Sequence, residues 1–132
     1  MDSFVVTIPN AISVAFSRSP VGTNVFVNGS AELGTEKRNY HIHLGRCNNN
    51  PTHWDPFMAK SAPVYVCNPD AKFSCELGDL AGKFGQLNSE VQEATYLDPT
   101  LNFDYLVSLR SNLSLVIHEP NSKAKRNCTE LD

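Results

Sequence analysis

The sequence predicts an all-β domain, an antiparallel sandwich or barrel. Short β-branched and aromatic runs recur along the chain, turn residues separate them, and no long amphipathic helical pattern intervenes. At 132 residues the chain is one domain, 1–132, large enough to bury a single core, with no internal repeat, heptad or low-complexity tract.

Val5-Val6-Thr7-Ile8, Ile12-Ser13-Val14-Ala15-Phe16 and Asn24-Val25-Phe26-Val27 read as the first strands, with Ser19-Pro20-Val21-Gly22 as a turn between them. Tyr40-His41-Ile42-His43-Leu44 alternates, which assigns Tyr40, Ile42 and Leu44 to one face and the histidines to the other. From Gly45 to Gly78 runs a long stretch rich in Asn, Pro and Cys. A loop of that length in a compact domain is usually functional. Ser89 to Ala94 reads as one helical turn, and Leu113-Ser114-Leu115-Val116-Ile117-His118 as a late strand. Tyr40, Trp54, Phe57 and Phe84 are expected in core or loop packing.

A formal net charge of −3 and the lack of a basic stripe interleaved with aromatics argue against nucleic-acid binding. No apolar run approaches the ~20 residues that span a bilayer. The first residues lack the basic and apolar stretches of a signal peptide, which leaves a cytosolic chain or a mature secreted segment behind an added Met1. The four cysteines, without a Cys-x-x-Cys pair, and the glycosylation triplets at Asn28, Asn112 and Asn127 favour the secreted, oxidising setting. Four cysteines allow three pairings.

All four histidines read as one metal site: His41, His43, His53 and His118. Strand side chains alternate with period two, so His41 and His43 project side by side from one face. Imidazole suits copper, zinc, iron and nickel, and a flat set of four nitrogens points mainly to Cu(II).

The motifs around these histidines resemble those of the copper/zinc superoxide dismutase superfamily. His41-Ile42-His43 resembles the family's His-Val-His pair of copper ligands. Pro51-Thr52-His53-Trp54-Asp55-Pro56 resembles its Gly-Pro-His-Phe-Asn-Pro segment, whose histidine bridges copper and zinc. Leu115-Val116-Ile117-His118-Glu119 resembles the strand that carries the last copper ligand, and Cys47 precedes His53 by the family's six residues. The resemblance covers about Val25 to Cys128 and implies a Greek-key barrel or sandwich of about eight strands.

Departures from the pattern point to one branch. No histidine remains for the family's zinc site, Glu76 stands where a zinc histidine would, and Asp79 matches the zinc aspartate. One carboxylate and one shared imidazole do not make zinc's tetrahedral site. The segment between the last copper histidine and the final cysteine has shrunk to Pro120 through Asn127. These features resemble the copper-only superoxide dismutases of fungal surface enzymes and animal repeat proteins.

That resemblance implies one copper and no zinc, held by His41, His43, His53 and His118. It implies disulfides Cys47–Cys128 and Cys67–Cys75. It assigns Glu76 to holding His53 and relaying a proton, and Asp79 to bracing a neighbouring copper histidine or the loop. An arginine is expected to draw in the superoxide anion; Lys125 stands in the family's register and Arg126 one position late, and the planar fork of Arg126 suits the task better. The expected activity is dismutation of superoxide to dioxygen and hydrogen peroxide, outside the cell, with sister repeat domains as partners. Two rivals are a copper-binding or adhesive module that kept the fold without turnover, and a structural zinc protein.

Overall fold

The structure, a computed structural model, describes residues 1–61, 64–90, 92–120 and 126–132, the side chains of Ser61 and Arg126 excepted. Eight strands form among them: β1 (Ser3–Ile8), β2 (Ile12–Ser19), β3 (Gly22–Gly29), β4 (Tyr40–Leu44), β5 (Thr52–His53), β6 (Glu93–Asp98), β7 (Leu113–His118) and β8 (Arg126–Glu130). They make two separate four-stranded sheets, ordered β1-β2-β3-β6 and β5-β4-β7-β8, and the described pairs are antiparallel. The sheets do not close on each other, so the architecture is the sandwich and not the barrel. The chain passes to the second sheet between β3 and β4, returns between β5 and β6, and crosses again to β7 in Greek-key manner.

Alternation builds the core. In β1, Phe4, Val6 and Ile8 are buried while Ser3, Val5 and Thr7 face solvent. Val14 and Phe16 of β2 and Val25 and Val27 of β3 continue that inner face, and Tyr40, Ile42, Leu113, Leu115 and Ile117 of the second sheet meet it. Leu44 departs from the expected face. It sits at the strand's end, half exposed, and the pattern of β4 breaks there. β7 is buried at every position, between β4 and β8.

Two expectations are corrected. The helical turn expected from Ser89 to Ala94 is not seen among its described residues: Ser89, Glu90 and Gln92 lie in no helix, and Glu93 and Ala94 open β6, which pairs along β3 from Asn28 to Thr23. Pairing with an available sheet edge outweighs the weak local helical preference of Ser-Glu-Val-Gln-Glu-Ala. Phe57 packs against nothing that hides it and is largely exposed, whereas Tyr40 and Trp54 are buried and Phe84 stacks on Tyr96.

Two short helices join the sheets, α1 (Leu80–Phe84) and α2 (Phe103–Leu109). Asp79 caps α1 by accepting from the Gly82 amide, and Asn102 caps α2 by accepting from Tyr105. The long loop is fastened by Cys47–Cys128 and Cys67–Cys75, in the pairing that the resemblance implied. No helix among the described residues is long and apolar enough to cross a membrane.

Candidate metal centre

Strand register assembles the site on the outer face of the second sheet. His43 lies opposite His53 across β4 and β5, and opposite Ser114 across β4 and β7. Residues opposite each other point to the same face. His41, His43, His53 and His118 therefore share one face, and each offers a ring nitrogen within 4.8 Å of the others. His41 Nδ1 and His118 Nε2 are 2.8 Å apart. Two nitrogens at about 2.0 Å from one cation and at right angles would be separated by about 2.8 Å.

Each ring has its far nitrogen engaged or its near nitrogen exposed to the cluster. His43 Nδ1 meets the Pro51 carbonyl at 3.2 Å, which leaves a buried Nε2 with no protein partner. Burial, aided by the charges of the neighbouring histidines and opposed by the Pro51 hydrogen bond, pushes the His43 pKa down to about 3. The ring is thus neutral at ordinary pH, the form that binds metals. His41 Nε2 lies 3.1 Å from Asp79 Oδ1, and His53 Nδ1 lies 2.9 Å from Glu76 Oε1. A carboxylate on the far nitrogen fixes the tautomer and turns the lone pair of the other inward. An all-imidazole donor set with an orphaned buried nitrogen at its centre fits a copper-type cation.

Both carboxylates come from one tight turn, and glycine makes it possible. Gly78 donates its amide to the Trp54 carbonyl and accepts from Ile42 N, between the two strand histidines. A Cβ there would stand 2.1 Å from the Ile42 carbonyl oxygen, so no other residue fits without moving the turn. Glu76 and Asp79 flank this anchor, both buried. Burial would raise the Asp79 pKa, but the His41 hydrogen bond and charge, Tyr65 and the Gly82 amide together hold it at about 2. Asp79 is a carboxylate, bonded to His41.

A cleft of about 410 Å³ opens beside the cluster, lined by His41, His53, His118, Glu76, Asp79 and Lys60. His53 keeps a third of its side-chain surface exposed, so the site meets solvent on that side. A larger groove of about 660 Å³, lined by Arg18, Phe73, Pro99, Phe103 and Asp104 among others, holds no histidine.

The structure brings together the four histidines, Glu76 and Asp79. Lys123 to Lys125 and the Arg126 side chain lie outside the described residues. Sequence reasoning missed Tyr65, whose hydroxyl joins Asp79 to the Glu76 backbone, and the Pro51 carbonyl that orients His43. Tyr65 sits in an irregular loop with no pattern around it, and a backbone acceptor leaves no mark on sequence.

No family model matches the chain. A cell surface Cu-only superoxide dismutase of Arthroderma benhamiae is 34% identical over 113 residues, which is 76% of this chain and 29% of that protein. A cell surface superoxide dismutase (Cu-Zn) of Candida albicans is 32% identical over 94 residues, 62% of this chain and 27% of that protein. The chain thus spans under a third of the length of these curated relatives. Among solved structures, a mutant of Candida albicans superoxide dismutase 5 superposes with a TM-score of 0.65 at 23% identity, covering 96% of this chain and 86% of that one. The Cu/Zn superoxide dismutase of Brucella abortus gives 0.59 at 18% identity, covering 99% and 97%. These two share the fold. The histidine motifs, their order along the sandwich and the curated relatives agree, and the chain belongs to the copper/zinc superoxide dismutase superfamily.

Proposed function

We propose that this domain, residues 1–132, binds one copper ion and no zinc and dismutates superoxide to dioxygen and hydrogen peroxide. The observation that carries the reading is the convergence of four imidazole nitrogens within 4.8 Å, two of the rings being held from behind by carboxylates. The name of the Arthroderma benhamiae relative supports copper without zinc. So does the use already made of the two carboxylates. Both oxygens of Glu76 face His53, and those of Asp79 serve His41, Gly82 and Tyr65. Each carboxylate is thus already engaged in orienting a histidine of the cluster.

Copper bound there would supply a couple between its two oxidation states, taking an electron from one superoxide and giving it to the next. The chain's residues do the rest. Two superoxide anions and two protons give one dioxygen and one hydrogen peroxide, so protons must reach the product. Glu76 keeps a proton at His53 Nδ1 and holds the ring so that Nε2 faces the reacting side. The partly exposed ring of His53 passes a proton inward from Nε2 and takes one back there from the cleft, with Glu76 behind Nδ1 favouring the protonated ring. Asp79 holds His41 against rotation. Arg126 is assigned the attraction of the anion, with Lys125 beside it.

We read the domain as extracellular, which the cell surface relatives, two disulfides and exposed Asn28, Asn112 and Asn127 support. On this reading those asparagines carry glycans, and sister domains in a longer protein are its partners.

Loading with equimolar copper and zinc followed by elemental analysis tests the metal, and pulse radiolysis tests turnover. One copper per chain without zinc, and second-order decay of superoxide accelerated by the loaded protein, are expected. His118→Ala should lose the copper and stay folded. A stoichiometric zinc would overturn the copper-only reading; bound copper without acceleration would leave a copper-binding module that lacks turnover.

Glu76→Gln keeps the size of the side chain and removes its charge. Turnover should fall on the order of 10- to 100-fold while copper content stays at one, because a carboxylate behind a metal-bound histidine is worth about that much. The loss should grow as pH rises and solvent supplies fewer protons. Wild-type rates across that range, with copper fully bound, would remove Glu76 from the proton path.

A further inference from the structure

The hydroxyl of Tyr65 bridges the carboxylate of Asp79 and the backbone of Glu76. It donates to Asp79 Oδ2 at 2.8 Å and accepts from the Glu76 backbone N–H at 2.9 Å. A phenol has one proton to give. Here that proton goes to Asp79, an ionised acceptor, and the oxygen is left to receive the Glu76 amide. Asp79 then has its Oδ2 committed to Tyr65, which leaves Oδ1 for His41 Nε2 and for the Gly82 amide. The choice of oxygen is not free: a rotated Asp79 would lose either the phenol or the helix cap.

The same hydroxyl fixes the start of the Glu76 side chain, since that residue's amide is bound to it. Glu76 reaches from there to His53 Nδ1. One oxygen atom therefore sets the position of both groups that orient imidazoles, His41 through Asp79 and His53 through Glu76. Tyr65 is itself held in the loop that Cys67–Cys75 tightens two residues further on.

The geometry points to Tyr65 as a positioning residue, a neutral tie between Asp79 and Glu76 that fixes, through these two carboxylates, the imidazoles of His41 and His53. This rests on the reading of the four histidines as copper ligands. A hydrogen-bonded tie adds no positive charge, so both carboxylates stay available to the histidine N–H groups. It also explains how the outer side of His41 and His53 is ordered by a chain that has no further histidine to offer.

Tyr65→Phe removes the hydroxyl and nothing else. Tyr65 is only partly buried and lines the open cleft, so water can replace the lost bonds and the variant is expected to fold. In the metal-free protein, the His41 Nε2–H and His53 Nδ1–H protons are expected as exchange-protected NMR signals, and in Tyr65→Phe both should exchange about tenfold faster or more. After loading, the variant should keep one copper per chain, with an altered Cu(II) hyperfine pattern in electron paramagnetic resonance and turnover lowered about tenfold. Added to the pair Glu76→Gln and Asp79→Asn, Tyr65→Phe should do nothing more, because the groups it acts through are already changed. A simple packing role would give no such coupling. Wild-type exchange and spectra in Tyr65→Phe would overturn the proposal, as would full additivity with the carboxylate pair. Failure of the unmodified protein to bind copper would instead overturn the metal assignment, and the metal-free exchange rates would still judge the tie.

Discussion

Replacing Lys83 by methionine is expected to destabilise the domain by about 3–5 kcal/mol, because it leaves a buried carboxylate unpaired. Both Lys83 and Asp98 have side chains with no exposed surface. The ammonium has three protons and three acceptors: Asp98 Oδ2, the Leu77 carbonyl at 2.9 Å and Thr100 Oγ1 at 3.2 Å. Burial pushes the Lys83 pKa below its usual value, and the charge and hydrogen bond of Asp98 pull it back. Asp98 also receives the Thr100 amide and hydroxyl on its other oxygen, so the pair is fully satisfied. Such pairs contribute little relative to an apolar substitute and cost much when halved.

The expected contrast is therefore between Lys83→Met and Lys83→Met with Asp98→Asn. The double variant has no buried charge, and the amide oxygen of Asn can still accept from Thr100. It should recover most of the loss in chemical denaturation. A single variant within about 1 kcal/mol of the parent would mean that water reaches Asp98, contrary to its burial. The pair also bears on the site. Through the Leu77 carbonyl, Lys83 ties the turn between Glu76 and Asp79 to the end of β6 in the opposite sheet. Loss of the ammonium should loosen both carboxylates at once.

How much of this was legible in the sequence depended on whether a feature is local. The alternation in β1 to β4 and the apolar, β-branched run of β7 are short-range properties of the chain, and they were readable. β6 and β8 were not, because what makes them strands is the edge each one pairs with. Glu93–Asp98 has a polar start, and its partner β3 lies some 70 residues earlier in the order of the chain, from Asn28 back to Thr23. The helix α2 carried a legible signal in Asn102, three residues before the Tyr105 amide that it caps, and that signal was passed over.

The histidines were legible for the same local reason, as an i, i+2 pair with two partners in fixed order. Glu76 and Asp79 came from resemblance alone. Nothing in their own neighbourhood says which imidazole each would face; the Gly78 anchor on the Ile42 backbone decides that. Tyr65 and Lys83 were beyond reach because each makes its point only through contacts across the fold.

Removing the Cys47–Cys128 bridge is expected to cost more stability than removing Cys67–Cys75, by about 4.5 against about 2.5 kcal/mol in the loop-entropy model. The difference comes from the separations, 81 residues against 8. The long bridge joins the start of the metal-site loop to β8, at the residue opposite Val116. Arg46 adds a bond to the Ser111 carbonyl and an ion pair to Asp132, and the Cys47 amide donates to Glu130. Those contacts remain in Cys47→Ser/Cys128→Ser, so the native loop should hold its place once folded. The loss should thus appear mainly as a shift in the unfolding midpoint, with the histidine N–H signals of the surviving native fraction unchanged. Cys67→Ser/Cys75→Ser should behave in the opposite sense. Its bridge closes the loop beyond Tyr65, and opening it should move the site while costing less stability. Equal or inverted unfolding costs for the two serine pairs would mean that the unfolded chain already holds Cys47 near Cys128, and that the bridge only locks what hydrophobic contacts have brought together.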